Sequence, residues 1–296
     1  MNNKNFGQCR YPTLPVNFIC FYFYFVEKEG AKNIRNEDVE TIVVPNGIKN
    51  IGQSAFREMP SLRSVRLPED LETLGQLAFY ECDKLENVVI PDSVISIGEN
   101  AFFGNWILSS VVIGRGLNVI PSECFAECVS LDMIVVPNNI IIIEKMAFAK
   151  SGLTAVVFEN GSNLAAIAYR AFFYCNISVI DVPASVTVIG QEAFAYNAIV
   201  SVTFASNTQL HTIGDQAFMS SALKAITIPA GVTSLGYGAF ACCDYLTSIE
   251  IAEGNTVYHD INGVVYTLDN TKIHMYPAGR EESSYTIELA ARSVSP

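Results

Sequence analysis

The apolar pattern changes its period twice within a few residues and then starts again. In ENVVIPDSVISIGENAF, residues 86–102, apolar positions first alternate at Val88 and Ile90. They then fall three apart at Val94 and Ile97, and close on the adjacent pair Ala101-Phe102. Alternation predicts a short strand with one buried face. The same strand signal stands at Val65/Leu67, Val111/Ile113, Ile180/Val182 and Ile226/Ile228. A proline often follows (Pro45, Pro68, Pro91, Pro137, Pro183, Pro229) and stops the strand by removing an amide donor. The spaced pair recurs at Ile48/Ile51, Leu71/Leu74, Val186/Ile189 and Leu210/Ile213. Glycine comes next at Gly52, Gly75, Gly98, Gly190, Gly214 and Gly236. There the chain is expected either to adopt a positive φ or to press against a neighbouring backbone.

The closing pair sets the repeat. Phe56, Phe79, Phe102, Phe125, Phe148, Phe172, Phe194, Phe218 and Phe240 are spaced 23, 23, 23, 23, 24, 22, 24 and 22 residues apart. Alanine precedes each except Phe125, which follows Cys124. A single unit of this length cannot bury its own apolar face, but stacked units can. The expected architecture is a repeat solenoid with one parallel β-strand per 22–24-residue coil, little helix, and rungs ~4.8 Å apart. Nine coils and a tenth strand occupy residues 39–251. Residues 252–280 form a β-hairpin unit, signalled by Val264, Tyr266 and Leu268, an Asp269-Asn270 turn, and a return through Ile273 to Tyr276. Residues 281–296 are an incomplete further repeat or a tail, and residues 1–38 a leader or an N-terminal cap. Within that leader, VNFICFYFYFV (16–26) is 11 residues long; an end cap is the preferred reading, with a secretion signal the competing one.

Composition narrows the partners. Half the residues are apolar and 16% are charged, which argues against disorder. The net charge is −12, from 18 basic and 30 acidic residues, with no basic cluster. That balance disfavours nucleic acid and anionic membrane surfaces. No apolar run reaches the roughly 18–20 residues that span a bilayer.

The phrases LPEDLETLGQLAFYEC (67–82) and IPDSVISIGENAFFGN (90–105) resemble the BspA-like class of leucine-rich repeats, whose unit reads roughly L-x-x-I-x-I-P-x-x-V-x-x-I-G-x-x-A-F-x-x-C. The likeness covers about residues 39–251 and implies a right-handed leucine-rich-repeat coil. Members of that class are typically surface or secreted proteins of host-associated microbes, linked to adhesion. The resemblance therefore implies a non-enzymatic module that binds a host or cell-surface protein, located at the cell surface or secreted. A structural spacer or intracellular scaffold is the alternative, and a cytoplasmic location stays open because no clear signal peptide is present.

Candidate chemistry is sparse. Cys82, Cys128, Cys175 and Cys243 stand three residues after their phenylalanines, a slot held elsewhere by Met59, Asn105, Ser151, Asn197 and Ser221. They lie two, two and three coils apart. That is at least ~9–10 Å, beyond the ~7 Å Cα limit for a disulfide, so core thiols are expected. His211, His259 and His274 lack the spacing of metal ligands. No catalytic residue, metal, cofactor or small-molecule substrate is expected. The informative column is the outward strand position: Val43, Arg66, Val89, Val112, Val135, Val157, Asp181, Thr203, Thr227, Glu250. Val89, Val112, Val135, Val157, Asp181 and Thr203 form a candidate partner-binding stripe. The competing reading is lateral packing of β-branched residues on an exposed sheet. Trp106, the single tryptophan, is expected to pack in the arc, with an exposed anchor as the second reading.

Overall fold

The computed structural model describes residues 36–287. The leader at 1–38 falls almost wholly outside the described residues, as do Cys9, Cys20 and the last part of the tail. Each coil has three sides, and each side is stitched to the next coil in its own way.

The first side is the expected strand. Ten of them run Thr41–Val43, Ser64–Arg66, Asn87–Val89, Ser110–Val112, Met133–Val136, Ala155–Phe158, Val179–Val182, Ser201–Phe204, Ala225–Ile228 and Ser248–Ile251. All pairing among them is parallel, one coil apart, with Ile42 beside Val65 and Val88 beside Val111. This ladder is continuous through its first four strands and then resolves into three pairs. Proline marks the first strand of each pair but does not break the ladder alone, since Pro68 and Pro91 stand at the same place within its continuous part. Each pair's first strand is followed by Pro137, Pro183 or Pro229, which has no N–H to offer the coil before it. In the second strands of two pairs that N–H exists and is used: Glu159 donates to the Val136 carbonyl at 3.1 Å and Ala252 to the Ile228 carbonyl at 2.9 Å.

The second side adds a ladder beyond the one strand per coil expected. Nine two-residue strands begin at Asn50–Ile51 and end at Ser234–Leu235. Their inward residues, from Ile51 to Leu235, are the second members of the spaced apolar pairs and are all buried. This ladder is interrupted once, between Ser96–Ile97 and Val119–Ile120. Elsewhere the next residue ties the coils together, as when Gly98 N–H donates to Leu74 at 2.8 Å and Glu144 N–H to Ile120 at 2.9 Å. Pro121 occupies that place in the interrupted coil and cannot donate. The glycines here take the second of their two expected roles. A Cβ on Gly98 would lie 2.2 Å from the Gln76 nitrogen, and one on Gly236 would lie 2.3 Å from the Asp215 nitrogen.

The third side is a ladder of turns around phenylalanine. From Phe56 to Phe218, each Phe N–H donates to the carbonyl just before the next Phe, at 2.7–3.0 Å. The nine rings form one buried column, centroids 5.2–5.6 Å apart and nearly parallel beyond the first pair. Positive φ falls two residues before and two residues after every Phe, for example at Leu77, Glu81, Met146 and Lys150. Only Gly104 and Gly238 are glycines at these places. For the others the left-handed region costs about 1–2 kcal/mol each. The inter-coil hydrogen bonds they make offset it, such as Lys150 N–H to Phe173 at 2.7 Å.

The slot three residues after each Phe is more demanding than a filler. Cys82, Cys128, Cys175 and Cys243 are buried, and each thiol donates to the Phe carbonyl of the preceding coil at 3.1–3.3 Å. Asn105 and Asn197 do the same through Nδ2 and accept a backbone N–H through Oδ1. The slot selects small donors because a buried carbonyl points at it. Burial pushes the Cys82 and Cys128 thiols up to about 12 and Cys175 up to about 11. Such thiols present almost no thiolate at neutral pH. Iodoacetamide on the native protein, read by peptide mass spectrometry, is expected to label exposed Cys242 and to leave the slot cysteines unmodified until denaturant is added.

After the array come three antiparallel strands, Tyr258–Ile261, Val264–Thr267 and Ile273–Met275. The last two form the expected hairpin; the first adds to it through an Asn262-Gly263 turn with φ of 52° and 77°. Two positive φ values suit a two-residue hairpin turn, and Asn-Gly is its sequence signal. The unit docks on open ladder edges. Leu235 N–H donates to the Tyr258 hydroxyl at 3.3 Å, and the Leu235 carbonyl lies 2.7 Å from His274 Nε2. Ile249 N–H donates to Gly263 at 3.0 Å and Ile251 N–H to the Asp260 carboxylate at 2.9 Å.

Burial holds His274 below its usual range, against the opposing pull of its hydrogen bond to Leu235. The folded protein therefore resists a proton that the unfolded chain takes up near pH 6.5. Stability from this contact is full above that pH and is lost as pH falls through it toward the lower folded value. Thermal melts at pH 7.5 and 5.5 should show a larger loss for the natural chain than for His274→Gln; equal losses would remove His274 from the account.

Candidate functional site

The strand side faces solvent through alternate positions, because neighbouring side chains on a strand point to opposite faces. Val88, Ile134 and Ile180 go inward and are buried. Val89, Val112, Val135 and Val157 go outward and are 58%, 53%, 41% and 45% exposed. Val89 sits beside Val112, and Val135 beside Val157, in parallel register. Met133 and Val179 are exposed two residues earlier on their own strands and widen the apolar band. Val43 is also exposed, but Arg66 separates it from the others.

Beyond Val157 the column turns polar. Asp181 and Thr203 are exposed neighbours in register, and the Thr203 hydroxyl donates to the Asp181 carboxylate. Thr227 and Glu250 repeat that arrangement, hydroxyl to carboxylate, at 3.3 Å. The six candidate residues thus lie along one face, four apolar followed by an acid and a hydroxyl. Trp106 does not pack in the arc as expected: it is 56% exposed, with Ile107 and Val129 exposed in the same region of coils 3 and 4.

The structure adds a feature that the outward column does not show. Between Ser201–Phe204 and Ala225–Ile228 the strands are unpaired, and a cleft of about 640 Å³ opens there. It is lined by Thr203, Phe204, Ser206, Thr227, Pro229 and Glu250 among others. Its turn is long: seven positions separate outward Thr203 from inward Leu210, as they separate Val157 from Leu164 two coils earlier, whereas five separate Asp181 from Val186. The longer turn forms part of the cleft lining through Ala205, Ser206 and Thr208. Among the described residues, no group of three or more His, Cys, Asp or Glu side chains is placed to hold a metal ion, and no helix is long and apolar enough to cross a membrane.

A family profile described as the BspA type leucine-rich repeat region matches residues 30–154 and 165–262 in six copies, well over half of the chain. The chain belongs to the BspA-type leucine-rich repeat family. Solved structures share this repeat architecture. The pneumococcal vaccine antigen PcpA is 25% identical, with a TM-score of 0.55 over 68% of this chain and 48% of its own. This BspA-type chain therefore spans about half the length of that antigen. A leucine-rich cell surface protein from Faecalibacterium prausnitzii is 24% identical over 85% of this chain and 58% of its own, with a TM-score of 0.45. A leucine-rich repeat protein from Bacteroides ovatus is 18% identical over 74% of this chain and 80% of its own, also at 0.45. A search of curated proteins finds no match.

Proposed function

We propose that this BspA-type protein is a non-enzymatic binding and adhesion module whose strand face engages a protein partner at the cell surface. The observation that carries the reading is the exposed column of Val89, Val112, Val135 and Val157, continued by Asp181 and Thr203. These four valines stand at the same outward position of successive coils and leave apolar area available for contact. The polar continuation supplies directional contacts beside it. Membership of a leucine-rich repeat family supports binding as the activity, and the likeness to a protein described as a vaccine antigen supports a surface location.

The test is a pulldown from surface-labelled host cell extract with Val112→Glu and Val135→Glu. Both positions are exposed, so the folded state and its unfolding midpoint should be unchanged while capture is lost. Capture unaffected by both substitutions would sink the stripe and favour the spacer. Protease treatment of intact cells should remove the protein if it is displayed outside.

A further inference from the structure

We propose that the cleft between coils 8 and 9 takes an extended, lysine- or arginine-bearing peptide segment, added as a strand between Ser201–Phe204 and Ala225–Ile228. The inference rests on the reading that the strand face binds protein, and it names the place and the chemistry of the partner.

The two strands are parted while their coils stay joined on both other sides. Thr212 and Ile213 pair with Ser234 and Leu235, and the Phe218 and Phe240 rings remain 5.6 Å apart. The opening is therefore a wedge on the strand side alone. Two local features stand at the opening. Pro229 has no N–H to close the ladder back onto Phe204, and the longer turn after Phe204 stands at the seam. Strand edges without a strand partner are templates for an added strand. The cleft volume of about 640 Å³ lies within the range of built ligand sites.

Charge decides which segment fits. Glu250 lines the cleft and Asp181 lies one rung beyond Thr203, while no Lys, Arg or His is among the lining residues. The Thr227 hydroxyl donates to the Glu250 carboxylate beside the opening, and the Thr203 hydroxyl holds Asp181 one rung away from it. A cationic side chain on the incoming strand is attracted by Glu250, and a negatively charged one is repelled, in a chain whose net charge is already −12.

The probe is an acetylated, amidated hexapeptide of alternating valine and lysine, with hydrogen exchange of the purified protein as readout. At ten times its dissociation constant, exchange of segments 201–204 and 225–228 should slow about tenfold. Glu250→Gln should weaken binding about two- to fivefold, the size of one exposed ion pair. Peptides with glutamate for lysine, or with proline for valine, should not protect the two strands. Unchanged exchange there, or equal protection by the proline peptide or by spermidine, overturns strand addition. If exchange is unchanged while Val112→Glu abolishes partner capture, the cleft fails and the binding face stands. If the cleft is protected while Val112→Glu captures normally, the valine stripe fails instead.

Discussion

Phe148→Ala should destabilise the protein by about 3–5 kcal/mol, the usual range for emptying a buried aromatic site. Phe148 belongs to the middle coil and is fully buried, with ring neighbours Phe125 and Phe172 at 5.5 and 5.2 Å. Removing its ring loses the transfer energy of the side chain and leaves a gap in a column that cannot collapse. The coils above and below are held at a fixed spacing by Phe148 N–H to Ala171 and Phe125 N–H to Ala147, both 2.8 Å. A solenoid is stabilised by nearest-neighbour contacts, so the gap also weakens coupling between the two halves of the stack. Urea denaturation should show a lower midpoint and a shallower transition. A loss below about 1 kcal/mol would contradict the single continuous core.

Gly98→Ala is the second large effect, and it arises from too little room instead of too much. The added Cβ would lie 2.2 Å from the Gln76 nitrogen and 2.5 Å from its Cα. Both are backbone atoms of the preceding coil, so relief requires the coils to separate. A cost at the upper end of overpacking, about 3 kcal/mol or more, is expected. Gly190→Ala meets its nearest atom at 2.8 Å and should cost less. Gly161→Ala meets nothing within 4 Å and bears only its φ of 71°, about 1–2 kcal/mol. The order Gly98, Gly190, Gly161 in measured loss is the prediction. A Gly98→Ala protein as stable as Gly161→Ala would show that these glycines do not serve close coil contact.

The sequence made the coil legible wherever burial sets the residue type. Val88 and Ile90 announce a half-buried strand, and the phenylalanine spacing announces the stack. What it hid is backbone conformation imposed by stacking. Leu77 and Met146 carry no turn signature, yet both are left-handed, because inter-coil hydrogen bonds fix that arc whatever side chain stands there. The second ladder was obscured because two residues are too few for alternation to register. Cys82 and Asn105 read as dissimilar fillers until the buried phenylalanine carbonyls they serve are seen. The column from Val89 to Thr203 was readable as outward-facing, since alternation fixes the side of the strand. The cleft beside Thr227 was not, although the 24 and 22 spacings marked the coils where the regular period breaks.

The account turns on which face meets the partner. A photo-cross-linking residue placed in turn at Val112, Val135 and Lys150 puts the question directly, since all three are exposed and Lys150 lies on the arc side. The prediction is a cross-linked partner from positions 112 and 135 and none from 150. Equal capture from all three, or capture from position 150 alone, would contradict the assignment of the strand face as the binding surface.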